Sequence, residues 1–361
     1  MATERRRDPS LLDALRRIAP GTELRVAIEN VIKGHLGALI VLGDTAELQF
    51  MFSGGMKIDL PFTPQYLYEL AKMDGAIILD SPASRIVYAN VQLMPDPTIA
   101  SAETGTRHRT AERVARQTAA LVISISQQRD TVSLFVGEQR YQLEDVADVL
   151  AKTNQAVATL ETYRQRLDQV VQRLTALEFQ GAAMLDDVLV VLQRLELADR
   201  VGLEIVQDLV ELGSDGRLLG MQLSELIGEV PRDRLALVRD YATGDAARDP
   251  DRAVAELEEL PHQRLLEFGC LARVLGHADD RSPIDTPVAP RGFRALSQLP
   301  RVNDEIADAL VARFGALESL LRAPLTELED VDGLDRARAR EVREALRRLQ
   351  EHTLADRYLS L

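Results

Sequence analysis

Gly37-Ala38-Leu39-Ile40-Val41-Leu42-Gly43 is the stretch that decides the fold of the first third of this chain. An unbroken apolar run between two glycines is too short for a buried helix. It lacks the alternation of a strand with one wet face, so it reads as a strand covered on both faces. Shorter runs of the same kind recur at 75–79, 86–89, 121–125 and 132–136. Between them, Pro9 to Ile18 places Leu11, Leu12, Leu15 and Ile18 at helical spacing, and Thr63-Pro64 opens a helix that runs to Lys72. Buried strands interleaved with helices predict an α/β (α+β) domain over residues 1–145, built on a central mixed sheet with helices on its faces.

The 361 residues are too many for one ordinary domain. A hydrophobic content of 46% supports real cores, and a net charge of −14 argues against a protein that coats nucleic acid by overall charge. Aromatics at 4% and the absence of Trp disfavour a face of stacked rings for single strands. Cys270 is the only cysteine, so neither an internal disulfide nor a thiolate zinc site can form. The opening MATERRRDPS lacks the apolar core of a signal peptide, and Leu36 to Leu42 is too short to span a bilayer. A cytoplasmic protein without a membrane segment is expected.

From Leu143 the texture becomes helical. Val157, Leu160, Leu167, Val171 and Leu174 approach a heptad seam that Arg164 interrupts, which favours a long helix packed within its own helical domain over a coiled coil. Residues 146–290 thus read as a helical scaffold. They end in Arg281 to Pro290, a stretch of three prolines in ten residues that cannot continue a helix. Residues 291–361 form a second helix-rich block.

Chemistry gathers at two places in the first domain. In Ser101 to Arg116, a glycine in a polar loop leads through Thr106, Arg107, His108, Arg109 and Thr110 into a helix. Free N–H groups at a helix start, two guanidinium forks and two hydroxyls suit a polyphosphate. The alternative is a charged helix start whose arginines pair with Glu103 and Glu112. At Asp74-Gly75-Ala76, a carboxylate and two small residues precede a buried strand, so a nucleotide can approach the backbone closely. By contrast, Ser53-Gly54-Gly55-Met56-Lys57 lacks the spacing of a phosphate-binding P-loop and reads as a turn between strands. His262 and His277 have no ligand spacing and read as surface or capping residues.

Together Asp74-Gly75-Ala76 and Arg107-His108-Arg109, in this order and about thirty residues apart, resemble the paired motifs of the diadenylate cyclase family. Residues 89–96 also look like that family, and the whole chain is similar to its DNA integrity scanning branch. The resemblance implies that two ATP molecules are joined into cyclic di-AMP with release of two pyrophosphates. Asp74 would orient or deprotonate the attacking hydroxyl, directly or through Mg2+ or Mn2+. Arg107 and Arg109 would hold the triphosphate, and His108 would bind phosphate or move a proton. Gly75, Ala76, Leu93 and Thr106 to Thr110 would contact the nucleotide, with Leu93 against adenine; without the family, Leu93 reads as plain core. A two-fold symmetric product also requires two facing sites, hence an oligomer, which the resemblance makes an octamer. A DNA-binding scaffold that merely senses ATP is the competing reading, and the intact Asp74, Arg107 and Arg109 favour the enzyme.

In the last block, turns at Leu299 to Asn303 and Val331 to Asp335 each separate two short helices. They resemble a tandem helix-hairpin-helix, which implies contact with branched or damaged DNA without sequence reading. The turns depart from the Gly-hydrophobic-Gly pattern: Asp335 replaces the second glycine, and the first turn has neither. Acids and arginines nearly balance over 291–361, at 13 and 12, with positive charge concentrated in Arg336, Arg338, Arg340, Arg343, Arg347 and Arg348.

Overall fold

Residues 38–42 form the central strand of a mixed sheet. In a computed structural model, described over residues 8–277 and 286–359, the strands are β1 (Ala38–Leu42), β2 (Phe52–Ser53), β3 (Met56–Pro61), β4 (Ala76–Leu79), β5 (Arg85–Leu93), β6 (Leu121–Ile125), β7 (Val132–Val136) and β8 (Gln139–Gln142). Their order is β2-β5-β4-β1-β6-β7-β8, with β3 also paired to β5. Only β1 and β4 run parallel; the other pairs are antiparallel. Every residue of β1, β4 and β6 is buried. This explains the unbroken apolar runs.

Both faces are covered. Ile40, Leu42, Ile77, Leu79, Ile123 and Leu134 meet the apolar stripes of α1 (Pro9–Ile18), α2 (Glu23–Lys33) and α4 (Pro64–Leu70). The alternate residues Leu39, Val41, Ala76, Ile78, Val122 and Phe135 point the other way. There they pack on Ala111, Val114 and Ala115 of α5 (Thr106–Gln117) and on Leu48 of the short α3 (Thr45–Leu48). Opposed side chains along one strand thus build two cores. The Gly54-Gly55 segment is a turn joining β2 to β3, and both its glycines have positive φ, as expected from the sequence.

The helical part comprises α6 (Val146–Gln180), α7 (Leu185–Leu212), α8 (Arg217–Ile227), α9 (Val230–Tyr241), α10 (Gly244–Arg248), α11 (Pro250–Glu259), α12 (His262–Leu265) and α13 (Phe268–Val274). It is followed by α14 (Phe293–Ser297), α15 (Asp304–Phe314), α16 (Leu317–Arg322), α17 (Leu325–Glu329) and α18 (Arg336–Leu359). Two compact units result: residues up to Gln155 with Glu204–Met221, and Ala156–Leu203 with Gln222 onward. In the first unit, Tyr141 donates to Glu211 at 2.6 Å, Lys152 pairs with Asp208 at 3.3 Å, and Ser214 N–H donates to the Pro20 carbonyl at 3.0 Å. These contacts tie the end of α7 to the sheet domain.

In the second unit, Leu167 and Leu174 of α6 join a core with Val188, Leu192, Val230, Leu237 and Leu271. The long helix therefore packs among several others and not along one seam. Arg164, at the break in the heptad pattern, turns to Asp168 at 2.9 Å and to the Leu226 carbonyl at 3.3 Å. Met1–Arg7 and residues 281–285 of the proline-rich stretch lie outside the described residues. Its remainder pairs in extended form: Leu185 N–H donates to the Thr286 carbonyl and Val288 N–H to that of Ala183. A further core, including Leu296, Ile306, Leu310, Leu328, Val342 and Leu346, holds α14 to α18 together.

A buried polar network joins this last core to α9 and α6. Asp240 accepts from the backbone N–H groups of Gly292, Phe293 and Arg294 at 2.6, 2.7 and 2.9 Å, capping α14 from a distance in sequence. The Arg294 guanidinium and the Tyr241 hydroxyl both donate to Glu178. Burial, with the Glu178 charge beside it, pushes the Asp240 carboxyl up to about 6, against which the Arg294 and Phe293 N–H groups and the Arg294 charge pull.

Candidate active site

The pairing pattern brings three strand ends and one helix start together. Leu39 at the start of β1 is level with Ala76 at the start of β4, Ala76 with Val91 of β5, and Ala38 with Ile125 at the end of β6. α5 begins at this same edge. Its chain then turns at 118–120 on the far side, where Leu121 pairs with Leu42, so that β6 returns to the edge. Thr106, Arg107, His108 and Thr110 therefore face Gly75, Ala76 and Leu93 across a cleft of about 580 Å³. Leu39, Val91, Gln92, Gly105, Ser126, Gln127 and Gln128 complete its lining. The cleft lies at the amino ends of the parallel pair, opposite to the usual carboxyl-end crevice of doubly wound sheets. The arriving N-terminus of α5 accounts for that choice, since it brings free N–H groups to this edge.

Gly75 has φ +92°, and a Cβ there would fall 2.8 Å from the Asn90 carbonyl carbon. No larger residue fits without moving the backbone. Asn90 itself has φ +54° where the β4–β5 register shifts between Ala76 and Ile78. This bulge aims Val91 to Leu93 at the cleft. Leu93 is both a member of the α5-side core and part of the cleft wall, so its two sequence readings coexist.

α5 starts at Gly105 with φ +102°, no side chain caps it, and its first turn has no acid. Its N–H groups remain available to an anion. The loop before it is fixed to its flank: Arg113 donates to the Ile99 carbonyl at 2.9 Å, and Arg116 donates to that of Ala100. Arg116 also pairs with Glu112, and Asp96 N–H donates to Gln117. Glu112 further accepts from Ser101, while Glu103 pairs with Arg140. Both acids are thus engaged elsewhere. The guanidinium of Arg107 rests over Gly37 and makes no hydrogen bond or ion pair among the described residues.

His108 stands edge-on to Phe135, with ring centroids 6.4 Å apart and planes at 74°. Burial pulls its imidazole below the ordinary histidine value, Glu103 opposes this, and the Arg140, Arg107 and Arg129 charges reinforce it. Asp74 and Arg109 do not line the cleft wall; both are exposed, and neither side chain has a partner among the described residues. Asp74 sits directly before Gly75 at the rim. The sequence reading missed Ser126 to Gln128 and Leu39, because strand pairing and not a local pattern delivers them.

No three His, Cys, Asp or Glu side chains converge to hold a metal ion among the described residues. No described helix is long and apolar enough to cross a membrane.

A family model described as DisA bacterial checkpoint controller nucleotide-binding matches residues 25–140. A second, described as DisA bacterial checkpoint controller linker region, matches residues 143–283. The DNA integrity scanning protein DisA of Streptomyces coelicolor is 48% identical over 349 residues, covering 96% of this chain and 93% of that protein. Its namesake from Symbiobacterium thermophilum is 47% identical over 348 residues, covering 96% and 97%. The one from Carboxydothermus hydrogenoformans is 45% identical over 347 residues, covering 96% and 99%. With such identity sustained over nearly the whole length, this chain belongs to the DisA family of DNA integrity scanning proteins.

Proposed function

We infer that this protein is a diadenylate cyclase, which joins two ATP molecules into cyclic di-AMP and releases two pyrophosphates. One observation carries the reading to the site: an uncapped helix start and an unpaired Arg107 face Gly75, Ala76 and Leu93 across a cleft of nucleotide size. The wall formed by Leu93, Val91 and Leu39 suits an adenine ring, and Thr106 to His108 with Thr110 suit the triphosphate.

In each half-reaction the 3′-hydroxyl of one ATP attacks the α-phosphorus of the other. A P–O bond forms, the bond to pyrophosphate breaks, and the hydroxyl proton leaves. Arg107 and the first N–H groups of α5 hold the phosphates and balance charge on the departing pyrophosphate. His108 donates a ring N–H to a phosphate oxygen. Asp74 and Arg109, exposed at the rim, are placed to serve a nucleotide held by a facing copy of the chain. Asp74 orients the incoming hydroxyl and takes up its proton. A Mg2+ or Mn2+ ion fits this donor set, because such ions take one or two carboxylates plus substrate phosphates and need no all-protein cage. Asp74 would hold it, and its chemistry there is to acidify the hydroxyl and screen the phosphate charge. Two facing sites require a homo-oligomer, for which an octamer is the assembly proposed.

The functional division proposed is a cyclase domain over 1–145, a helical scaffold over 146–290 and a DNA-facing helix-hairpin-helix domain over 291–361, in a cytoplasmic protein. The name of the relatives, DNA integrity scanning protein, supports a DNA-sensing role; recognition of branched or damaged DNA through the last domain is part of the proposal. Incubation with ATP and Mn2+ or Mg2+ tests the catalytic reading. Cyclic di-AMP should form, and Asp74→Asn should lower its rate by about 10³-fold, as loss of both an acid–base group and a metal ligand requires. An unchanged rate in Asp74→Asn would remove that residue from the chemistry.

A further inference from the structure

Helix-hairpin-helix DNA contacts are expected at turns, where free N–H groups at a helix start take a phosphate. In this chain both candidate starts are already filled. Asn303 Oδ1 accepts from Ile306 N–H at 3.1 Å, and Asp304 and Glu305 occupy the first turn of α15. Asp335 Oδ1 accepts from Arg338 N–H at 2.8 Å, setting a carboxylate at the positive end of α18. Each side chain stands where a phosphate would, and the aspartate supplies its negative charge as well. The contrast with the uncapped, acid-free start of α5 is direct.

The positive charge lies elsewhere on α18. Arg336, Arg340, Arg343 and Arg347 follow one another at intervals of four, three and four residues. At about 100° per residue they fall within roughly 60° of one line along the helix and span about 16 Å. All four are exposed, while Ala339, Val342 and Leu346, about a quarter turn round the helix, are buried in the core. The central pair, Arg340 and Arg343, makes no hydrogen bond or ion pair among the described residues. The outer two have only surface partners, Arg336 with Glu329 at 3.4 Å and Arg347 with Glu351 at 3.1 Å, and such pairs are readily exchanged. A duplex strand carries one phosphate per about 3.4 Å of its helix axis, so a line of about 16 Å lies beside several of them. Guanidinium forks suit phosphate oxygens.

We propose that this chain contacts DNA through the Arg336–Arg340–Arg343–Arg347 face of α18, which grips the phosphodiester backbone, and not through its hairpin turns. The proposal rests on the DNA-facing reading of residues 291–361. No apolar or aromatic side chain interrupts the line, so contact is independent of base sequence.

The test is fluorescence anisotropy of the full chain with a labelled four-way junction and a duplex over a salt series. Each phosphate contact is worth about eightfold in affinity at about 0.1 M salt, from a slope of about 0.9 per contact. Arg340→Gln/Arg343→Gln should therefore bind about sixtyfold more weakly, with a salt slope shallower by about 1.8. Arg340→Lys/Arg343→Lys should keep the slope. Asn303→Asp, which keeps the cap and adds charge at the first turn, should bind within about twofold of the unaltered chain, as screening of a charge off the binding line requires. Binding by the glutamine pair as tight and as salt-dependent as the parent's would overturn the proposal and assign the stripe to an acidic protein partner. A large loss in Asn303→Asp alone would return the contact to the turns. No binding of either DNA by the unaltered chain would overturn the DNA-facing reading itself, and the proposal with it.

Discussion

Replacing Gly37 by alanine should disable Arg107 without touching it. A Cβ at Gly37 would lie 2.1 Å from Arg107 Nη1 and 3.0 Å from its Cζ. Ordinary contact needs about 3.4 Å or more, so the guanidinium must retreat by roughly 1.3 Å from its place beside the cleft. Gly37 is not in the left-handed region, and its neighbours are otherwise undisturbed, so the backbone accepts alanine. Loss of unfolded-state freedom even favours the variant by a few tenths of a kcal/mol, and up to about 1. A charge-assisted hydrogen bond to phosphate is worth about 2 kcal/mol, or about thirtyfold in rate, and misplacement by about 1 Å costs up to about a hundredfold. Gly37→Ala should thus form cyclic di-AMP about thirty- to a hundredfold more slowly, measured by chromatography of the product, with an unchanged or raised Tm. In an Arg107→Ala background the same substitution should add less than about twofold, because the group it displaces is gone. A Gly37→Ala rate within about twofold of the parent, or an equal loss in both backgrounds, would refute the reasoning.

Three further outcomes follow from the same geometry. His108 titrates below the ordinary 6.5 in the folded chain, so the unfolded chain binds the extra proton first as pH falls; its share of stability is complete above 6.5 and is lost on acidification. His108→Gln should flatten that acid limb in a series of melts. Asp240→Ala leaves three N–H groups, two buried and one half-buried, without an acceptor, at about 1 kcal/mol each, so the chain should lose about 2 to 3 kcal/mol in denaturant titrations. Because folding raises the Asp240 pKa from 3.8 to about 6, the native state takes up a proton between those values that the unfolded chain does not. This group's contribution therefore grows as pH falls through that window, a trend Asp240→Ala should lack. If two facing sites make the product, the rate per chain should fall on dilution. A rate per chain constant down to full dissociation, followed by light scattering, would place both nucleotides in one subunit.

The sheet was legible because its central strands are buried on both faces, which leaves a short continuous apolar run in the sequence. β8 was not legible, since Gln139–Gln142 is a polar edge strand with alternating exposure and little apolar content. The paired motifs located the cleft, yet half of its wall arrives by long-range pairing. Ser126 to Gln128 reach it only because β6 returns antiparallel to β1, and Gly37 matters only because Arg107 folds over it. The same limit applied to the C-terminal block. Residues 291–361 read as a separable unit, but Arg294 reaches Glu178 and Asp240 caps α14 across more than fifty residues of sequence. Deleting the block would strand both acids in the interior, so point substitutions are the cleaner probes of DNA contact.

The most direct test of the central claim is the product balance of the purified chain with ATP and Mn2+. Cyclic di-AMP identified by mass spectrometry should accompany pyrophosphate at one to two, as closure of a ring from two ATP molecules demands. ATP consumed without cyclic di-AMP, or bound and returned intact, would contradict the account.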